Sequence, residues 1–465
     1  MDDVAAFEEY LHNAPCFKNN RIIPYVYAPE PRKSGTPWML AVHLGSVGVV
    51  EALLKYQDYN DGIFREGWDR VKPMKGESDR QVMRRAIEQR QIEVVRLMIG
   101  RPEMTNDEAE ECEYSPLLFA CRQLRWYQEH QATLDAWVDG LEAIIGLLLD
   151  SRANARDEYR KKASRLAVTR GRPPLLRRLI EEGADVNARI AMYDSTGDRD
   201  TTLLHIASRY HNVAAVRFLL DERPEGPAMA RVRDSRGFLP LPLAAMGSYP
   251  GFYEREGRLD DADVAHHAVE TIKALLPYND VDERATDGMT ALSLAARYCQ
   301  QPGARFSPSC YDPVVQLLLD HGANPCDAGA DYGDTPLHSA VRSGDRIGAV
   351  RLLLLHGARP DVQNHDGDTP FHVAARSCRI RPSSTRPSRQ DEWEGFRRRE
   401  HEKQQEVMRL LLNALGGDGH KNDILDQANH EGETPRRIAQ LRAAESERAE
   451  KSSLALWARR EIEGW

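Results

Sequence analysis

No run of this 465-residue sequence approaches the ~18 consecutive apolar residues that a membrane-spanning helix needs. The longest apolar-rich stretches, such as Leu141 to Leu149, are half that length and read as buried helix. Cysteine is sparse: seven residues, an odd number, widely spaced and without a CxxC pair. That usage argues against a disulfide framework or a zinc knuckle and fits reduced thiols in the cytoplasm or nucleus. Positive charge is not in excess, with 63 Lys and Arg against 72 Asp and Glu and a net charge of −9. Direct nucleic-acid binding is therefore not expected, because it rests on neutralising phosphates. The acidic start Met1-Asp-Asp-Val-Ala lacks the basic and then apolar pattern of a secretory leader. Phosphate-loop, dinucleotide-binding, HExxH and nucleophile-elbow motifs are also missing, and Gly416-Gly-Asp-Gly419 follows a leucine run and reads as a helix stop. No cofactor is expected.

What is present is periodic. Gly333-Asp-Thr-Pro-Leu-His-Ser-Ala-Val-Arg-Ser-Gly344 aligns residue for residue with Gly367-Asp-Thr-Pro-Phe-His-Val-Ala-Ala-Arg-Ser-Cys378, and Thr335 and Thr369 are 34 residues apart. Each block is succeeded by a second apolar stretch, Val350-Arg-Leu-Leu-Leu-Leu and Val407-Met-Arg-Leu-Leu-Leu. Thr supplies a helix cap, and Pro suits the first helical position, where no N–H is needed. Ala and Leu at helical spacing make a thin apolar face that lets two helices pack closely. Gly after the leucines stops the second helix, and Asp-Gly makes a tight turn.

These blocks resemble the ankyrin repeat, whose pattern is a β-turn, a helix opening T-P-L-H-x-A, a second helix ending L-L-L, and then G-A-D. Weaker copies begin at Thr36, near Gln81, and at Ser115, Ala163, Thr202, Leu239 and Thr290, and Gly432-Glu-Thr-Pro starts a tenth. The resemblance implies an all-α, ankyrin-type helical solenoid of about ten helix-turn-helix repeats with β-turn fingers. Length alone suggests about three domains, but one stacked array over residues 36–440 removes that need. Residues 1–35 are expected to form an N-terminal helix and extended cap, and 441–465 a charged capping helix.

The array departs from regular spacing. Thr335 to the second leucine cluster at Leu352 is 17 residues. The same interval is 32 residues from Ser115 to Leu147, 36 from Leu239 to Leu275, 27 from Thr290 to Leu317 and 41 from Thr369 to Leu410. Insertions near 122–140, 246–263, 299–312 and 378–405 thus separate the first and second helices of their units and should gather along one edge. A further extension near 188–200 lengthens a finger.

Three sets of residues are candidates for function. Asp263, His266, His267 and Glu270 share a helix face and form a weak metal-site candidate, though a wet helix face explains them as well. His205, His338 and His372 occupy the signature histidine position, which in the family holds units together. Arg122, Arg209, Arg297, Arg342 and Arg376 stand two residues after the signature Ala, with Tyr210 and Tyr298 next in two units. The resemblance places that position on the concave groove, where Arg and Tyr could grip an acidic segment of another protein. Pairing of these arginines to a neighbouring turn is the other reading. Asn364, His365 and Asp366 lie at a turn tip.

The expected function is a non-catalytic scaffold or adaptor for protein–protein interaction through the groove and the turn tips, with no membrane partner. The alternative is an enzyme on the same scaffold, with a small-molecule pocket formed by the insertions.

Overall fold

A computed structural model of the chain describes residues 41–42, 45–52, 54, 79–99, 115–123, 135–151, 157–190, 200–221, 229–246, 261–285, 288–297, 307–329, 332–376, 390–415, 418–442 and 444. These residues are helical, and the one β-bridge among them is the antiparallel pair Ile190 and Thr201. The N-terminal cap, most of the C-terminal capping helix, and parts of all five insertions (124–134, 191–199, 247–260, 298–306 and 377–389) lie outside the described residues.

The chain divides into two compact units, residues 1–188 and 189–465. In the first, α1 (Asp79–Gln89) pairs with α2 (Ile92–Ile99), α3 (Pro116–Gln123) with α4 (Asp135–Asp150), and α5 (Asp157–Thr169) with α6 (Pro173–Glu181). In the second, five hairpins succeed one another. They are α7 (Leu203–Arg209) with α8 (Val213–Asp221), α9 (Pro240–Met246) with α10 (Asp261–Leu275), and α11 (Ala291–Arg297) with α12 (Asp312–Asp320). Then come α13 (Pro336–Ser343) with α14 (Ile347–Leu355) and α15 (Pro370–Arg376) with α16 (Gln390–Ala414). The shorter α17 (Asp418–Leu425) and a helix over 435–442 come last.

Each first helix packs on the next first helix (α7, α9, α11, α13, α15), and each second helix on the next second helix (α8, α10, α12, α14, α16). The reason is visible in α11, where Ala291, Leu292, Ser293, Leu294, Ala295 and Ala296 are all buried. Small residues on several sides let neighbours approach from both directions. Second helices end at Gly322 (φ +87°) and Gly357 (φ +88°), and the amides of Ala323 and Ala358 close back onto Leu318 and Leu353 at 3.0 and 2.9 Å.

The signature histidines fasten units together. Thr335 accepts from the His338 amide, and His338 Nδ1 accepts from the Thr335 amide at 3.2 Å. On its other side the ring donates from Nε2 to the Asp368 carbonyl of the next unit at 3.0 Å. His205 does the same to Phe238 at 3.1 Å, and His372 to Glu433 at 3.2 Å. A donor on one nitrogen and a carbonyl on the other fix the neutral ring, and burial pushes His205 down to about 4 and lowers His338 and His372.

The described flanks of the insertions in repeats six and seven touch. The Ser307 amide donates to the Asp261 carboxylate at 3.0 Å, and the Tyr311 hydroxyl lies 3.1 Å from His211 Nε2 in repeat five. Arg346, fully buried in the turn of repeat eight, pairs with Asp312 at 3.1 Å and donates to the Ala295 carbonyl at 3.0 Å. Lys403, at the far end of the ninth insertion, pairs with Asp345 in that same turn. The long helix α16 already begins at Gln390, so the second half of that insertion is one continuous helix with the leucine-rich stretch of repeat nine.

Candidate interaction surface

The first helices of the second unit leave little to solvent. In α13 every residue from Pro336 to Ser343 is buried except Arg342, and in α11 every residue except Arg297. In α15 only Arg376 is not fully buried, and in α9 only Met246. One side chain per helix, always at the same place in the repeat, therefore forms the outward surface of this row. In α7 the equivalent residue, Arg209, is 3% exposed, and it belongs to the interior rather than to a surface row.

Two of these arginines are held by their own fingers. Arg342 Nη2 donates to Asp334 at 2.7 Å, and the other oxygen of that carboxylate accepts from Asn364 Nδ2 at 2.8 Å. One unit on, Arg376 pairs with Asp368, whose second oxygen accepts from Asn429 Nδ2 at 2.8 Å, and Arg376 also donates to Glu433 at 2.9 Å. Each aspartate, eight residues before its arginine, thus joins the arginine of its own unit to the asparagine of the next finger. Asn364 in turn accepts from the amides of Asp366 and Asp368 at 3.0 Å each, which shapes the turn. Asn364 is buried, so it builds the tip rather than presenting itself there.

The tips are tied by backbone bonds. The His365 amide donates to the Tyr332 carbonyl at 2.9 Å, and the His430 amide to the Asp366 carbonyl at 3.1 Å. A side chain on Gly333 would run into the His365 ring, so glycine there lets one finger lie on the next. Tyr332, 68% exposed, and the exposed His365, Asp366 and His430 make the outer line of this edge.

Further back along the same edge a second set of arginines does structural work. Arg189 donates to the Arg233 carbonyl at 2.8 Å, Arg233 to the Arg284 carbonyl at 2.8 Å, and Arg284 to the Ala328 carbonyl at 2.9 Å. These equivalent positions were not singled out from sequence, although aligning the fingers would have put them in one column.

The remaining sequence candidates are scattered. Arg122 is exposed at the end of α3 in the first unit, Tyr210 is half-buried, and Tyr298 lies outside the described residues. Asp263 and His266 are exposed on α10, while His267 Nδ1 donates to the Asp263 carbonyl at 2.7 Å. Glu270 accepts from Lys273 at 3.0 Å and from Arg217 at 2.9 Å, and the Lys273 hydrogen bond leads in holding its carboxyl below the usual range. Among the described residues no group of three or more His, Cys, Asp or Glu side chains could hold a metal ion. Cys121 and Cys310 are buried with thiols pushed up to about 12, which makes them poor nucleophiles.

Residues 306–381 match the family model for ankyrin repeats. The chain carries ankyrin repeats. Among curated relatives, the mouse ankyrin repeat and SOCS box protein 16 is 32% identical over 234 residues, 47% of this chain and 48% of that protein. The mouse B-cell lymphoma 3 protein homolog is 28% identical over 209 residues, 41% of this chain and 44% of that protein. This ankyrin-repeat chain thus spans about half the length of the curated relatives it matches. A solved structure of the ankyrin repeat domain of Bcl-3 is 22% identical with a TM-score of 0.37, covering 60% of this chain and 96% of that one. In this ankyrin-repeat chain no described helix is long and apolar enough to cross a membrane.

Proposed function

We propose that the chain is a non-catalytic scaffold or adaptor of the cytoplasm or nucleus that holds a partner protein on the first-helix row and finger tips of residues 189–442. The observation that carries this is the single outward side chain per first helix. The row is a preformed surface whose geometry is set by a rigid core, so little ordering accompanies binding. Polar anchors on that surface, with Tyr332 at its edge, are the residue types that dominate protein interfaces. An acidic segment of the partner suits the row at Arg297, the arginine not paired to a described carboxylate.

The test uses the full chain with a photo-activated cross-linking residue placed in turn at His365, at Arg342 and at Leu355. Leu355 is 75% exposed on the second-helix side and serves as the control. Discrete cross-linked species from 365 and 342, absent from 355, are expected. Cross-links from 355 alone, or from none of the three, overturn the proposal.

A further inference from the structure

In repeats eight and nine the residue just before the capping Thr is aspartate, Asp334 and Asp368, and each neutralises the outward arginine of its unit. In repeat seven that place is held by Met289, while the outward residue is still an arginine, Arg297. Among the described residues Arg297 forms no ion pair and no side-chain hydrogen bond, and it is exposed. A second observation lies beside it. Met246 is the outward residue of the preceding unit. Met246 and Met289 both pack, half-buried, against one cluster of Phe238, Leu243, Ala285 and Leu294. The row therefore changes character at repeats six and seven. Two flexible thioethers lie over an apolar floor, and eight residues after Met289 stands a guanidinium that no described finger carboxylate neutralises.

We infer that this place is the specificity anchor of the scaffold and takes a linear peptide segment in which an Asp or Glu adjoins an apolar side chain. The carboxylate takes on Arg297 the place that Asp334 and Asp368 take on Arg342 and Arg376, where Met289 stands in this unit. The apolar neighbour covers Met246 and Met289, whose unbranched side chains adapt to varied shapes. The inference rests on the scaffold reading and narrows it to one contact. It also separates the arginines: Arg342 and Arg376 serve the fold, and Arg297 serves the partner.

The experiment pans a phage-displayed random peptide library on the full chain and measures synthetic copies of the enriched peptides by fluorescence anisotropy. Variants are Met289→Asp, which restores the aspartate of repeats eight and nine, and Arg297→Gln, which changes an exposed side chain. Thermal unfolding checks that both remain folded. The expected result is a shared carboxylate next to an apolar residue, with affinity lost about tenfold or more in both variants and within twofold of wild type in Arg342→Gln. No enrichment, enriched peptides without a common carboxylate, or affinity within twofold on Met289→Asp and Arg297→Gln overturns it. Peptides that are lost on His365→Ala but not on Arg297→Gln leave the scaffold standing and remove this anchor. Absence of every cross-link from the row removes the scaffold itself.

Discussion

His211 occupies a backbone conformation, φ +50°, that Gly171 and Gly344 adopt in the corresponding turns of two other units. A side chain in the left-handed region is strained by roughly 1 kcal/mol. Here the imidazole offsets it by donating to the Ala244 carbonyl at 2.9 Å and meeting the Tyr311 hydroxyl. Burial is also the main reason its pKa falls to about 4. His205 has the same depressed value for the same reason. The unfolded chain binds these protons near pH 6.5 and the folded chain does not, so stability is fully present above pH 6.5 and falls as the pH drops towards 4. Each such histidine contributes a slope on the order of 1.4 kcal/mol per pH unit within that window. Urea denaturation at pH 7.0, 6.0 and 5.0 should show the fall, and His211→Asn should show a shallower one. An equal slope in the variant would remove His211 from the account. The signature histidines and the arginine column were legible in the sequence because they recur at fixed places in the repeat. The fate of each arginine was not. The aspartate partners lie eight residues upstream in the same unit, at the end of the finger, and the burial of Arg209 depends on neighbours that a one-dimensional pattern does not name.

At the level of the helices, the turn of repeat eight is gripped from both sides, by Asp312 at the start of α12 and by Lys403 on α16. Burial raises the Asp312 carboxyl even though Arg346 pulls it down, so desolvation outweighs the attraction and the pair stands on geometry. Gly348, in the first turn of α14, is part of that geometry, since a Cβ there would collide with the Asp312 carboxylate. In an ordinary helix Gly→Ala stabilises by up to about 1 kcal/mol. Gly348→Ala should instead destabilise by about 2 kcal/mol, because the side chain displaces Asp312 from a buried arginine. Chemical denaturation of the variant decides it, and a stabilised protein would mean that Asp312 moves aside freely. The helix pairs and the positions of the insertions could be read from spacing alone. The contact between Asp312 and Arg346 could not, because it joins the end of an insertion to a turn one unit away. The two methionines of repeats six and seven were also missed. Their signal was there, in the residue preceding the capping Thr and in the outward position, but it has meaning only once Asp334 and Asp368 are seen to reach their arginines.

Across the whole chain, the units 1–188 and 189–465 are each dense in internal contacts. In the second, two series of links join neighbours on the finger side: the arginines Arg189, Arg233 and Arg284 between fingers, and the histidines His205, His338 and His372 from helix starts to the next finger. In an array of this kind stability is the sum of unit terms and nearest-neighbour terms. Residues 189–465 expressed alone should therefore keep their helical circular dichroism and unfold cooperatively. A fragment that is unfolded at 25 °C would show that the first 188 residues supply a necessary neighbour.

The exposure of one residue per first helix has a consequence for how such a chain diverges. The outward position is a single letter in a word whose other letters are fixed by packing. Met246, Arg297, Arg342 and Arg376 spell four letters in a row, of which Arg342 and Arg376 are tied to finger carboxylates and Met246 rests on the core, while Arg297 is exposed. Duplicating a unit adds a letter, and replacing a finger Asp by Met unmutes one already present. On the scaffold reading, recognition evolves most freely at Arg297, the letter of this row that forms no ion pair among the described residues.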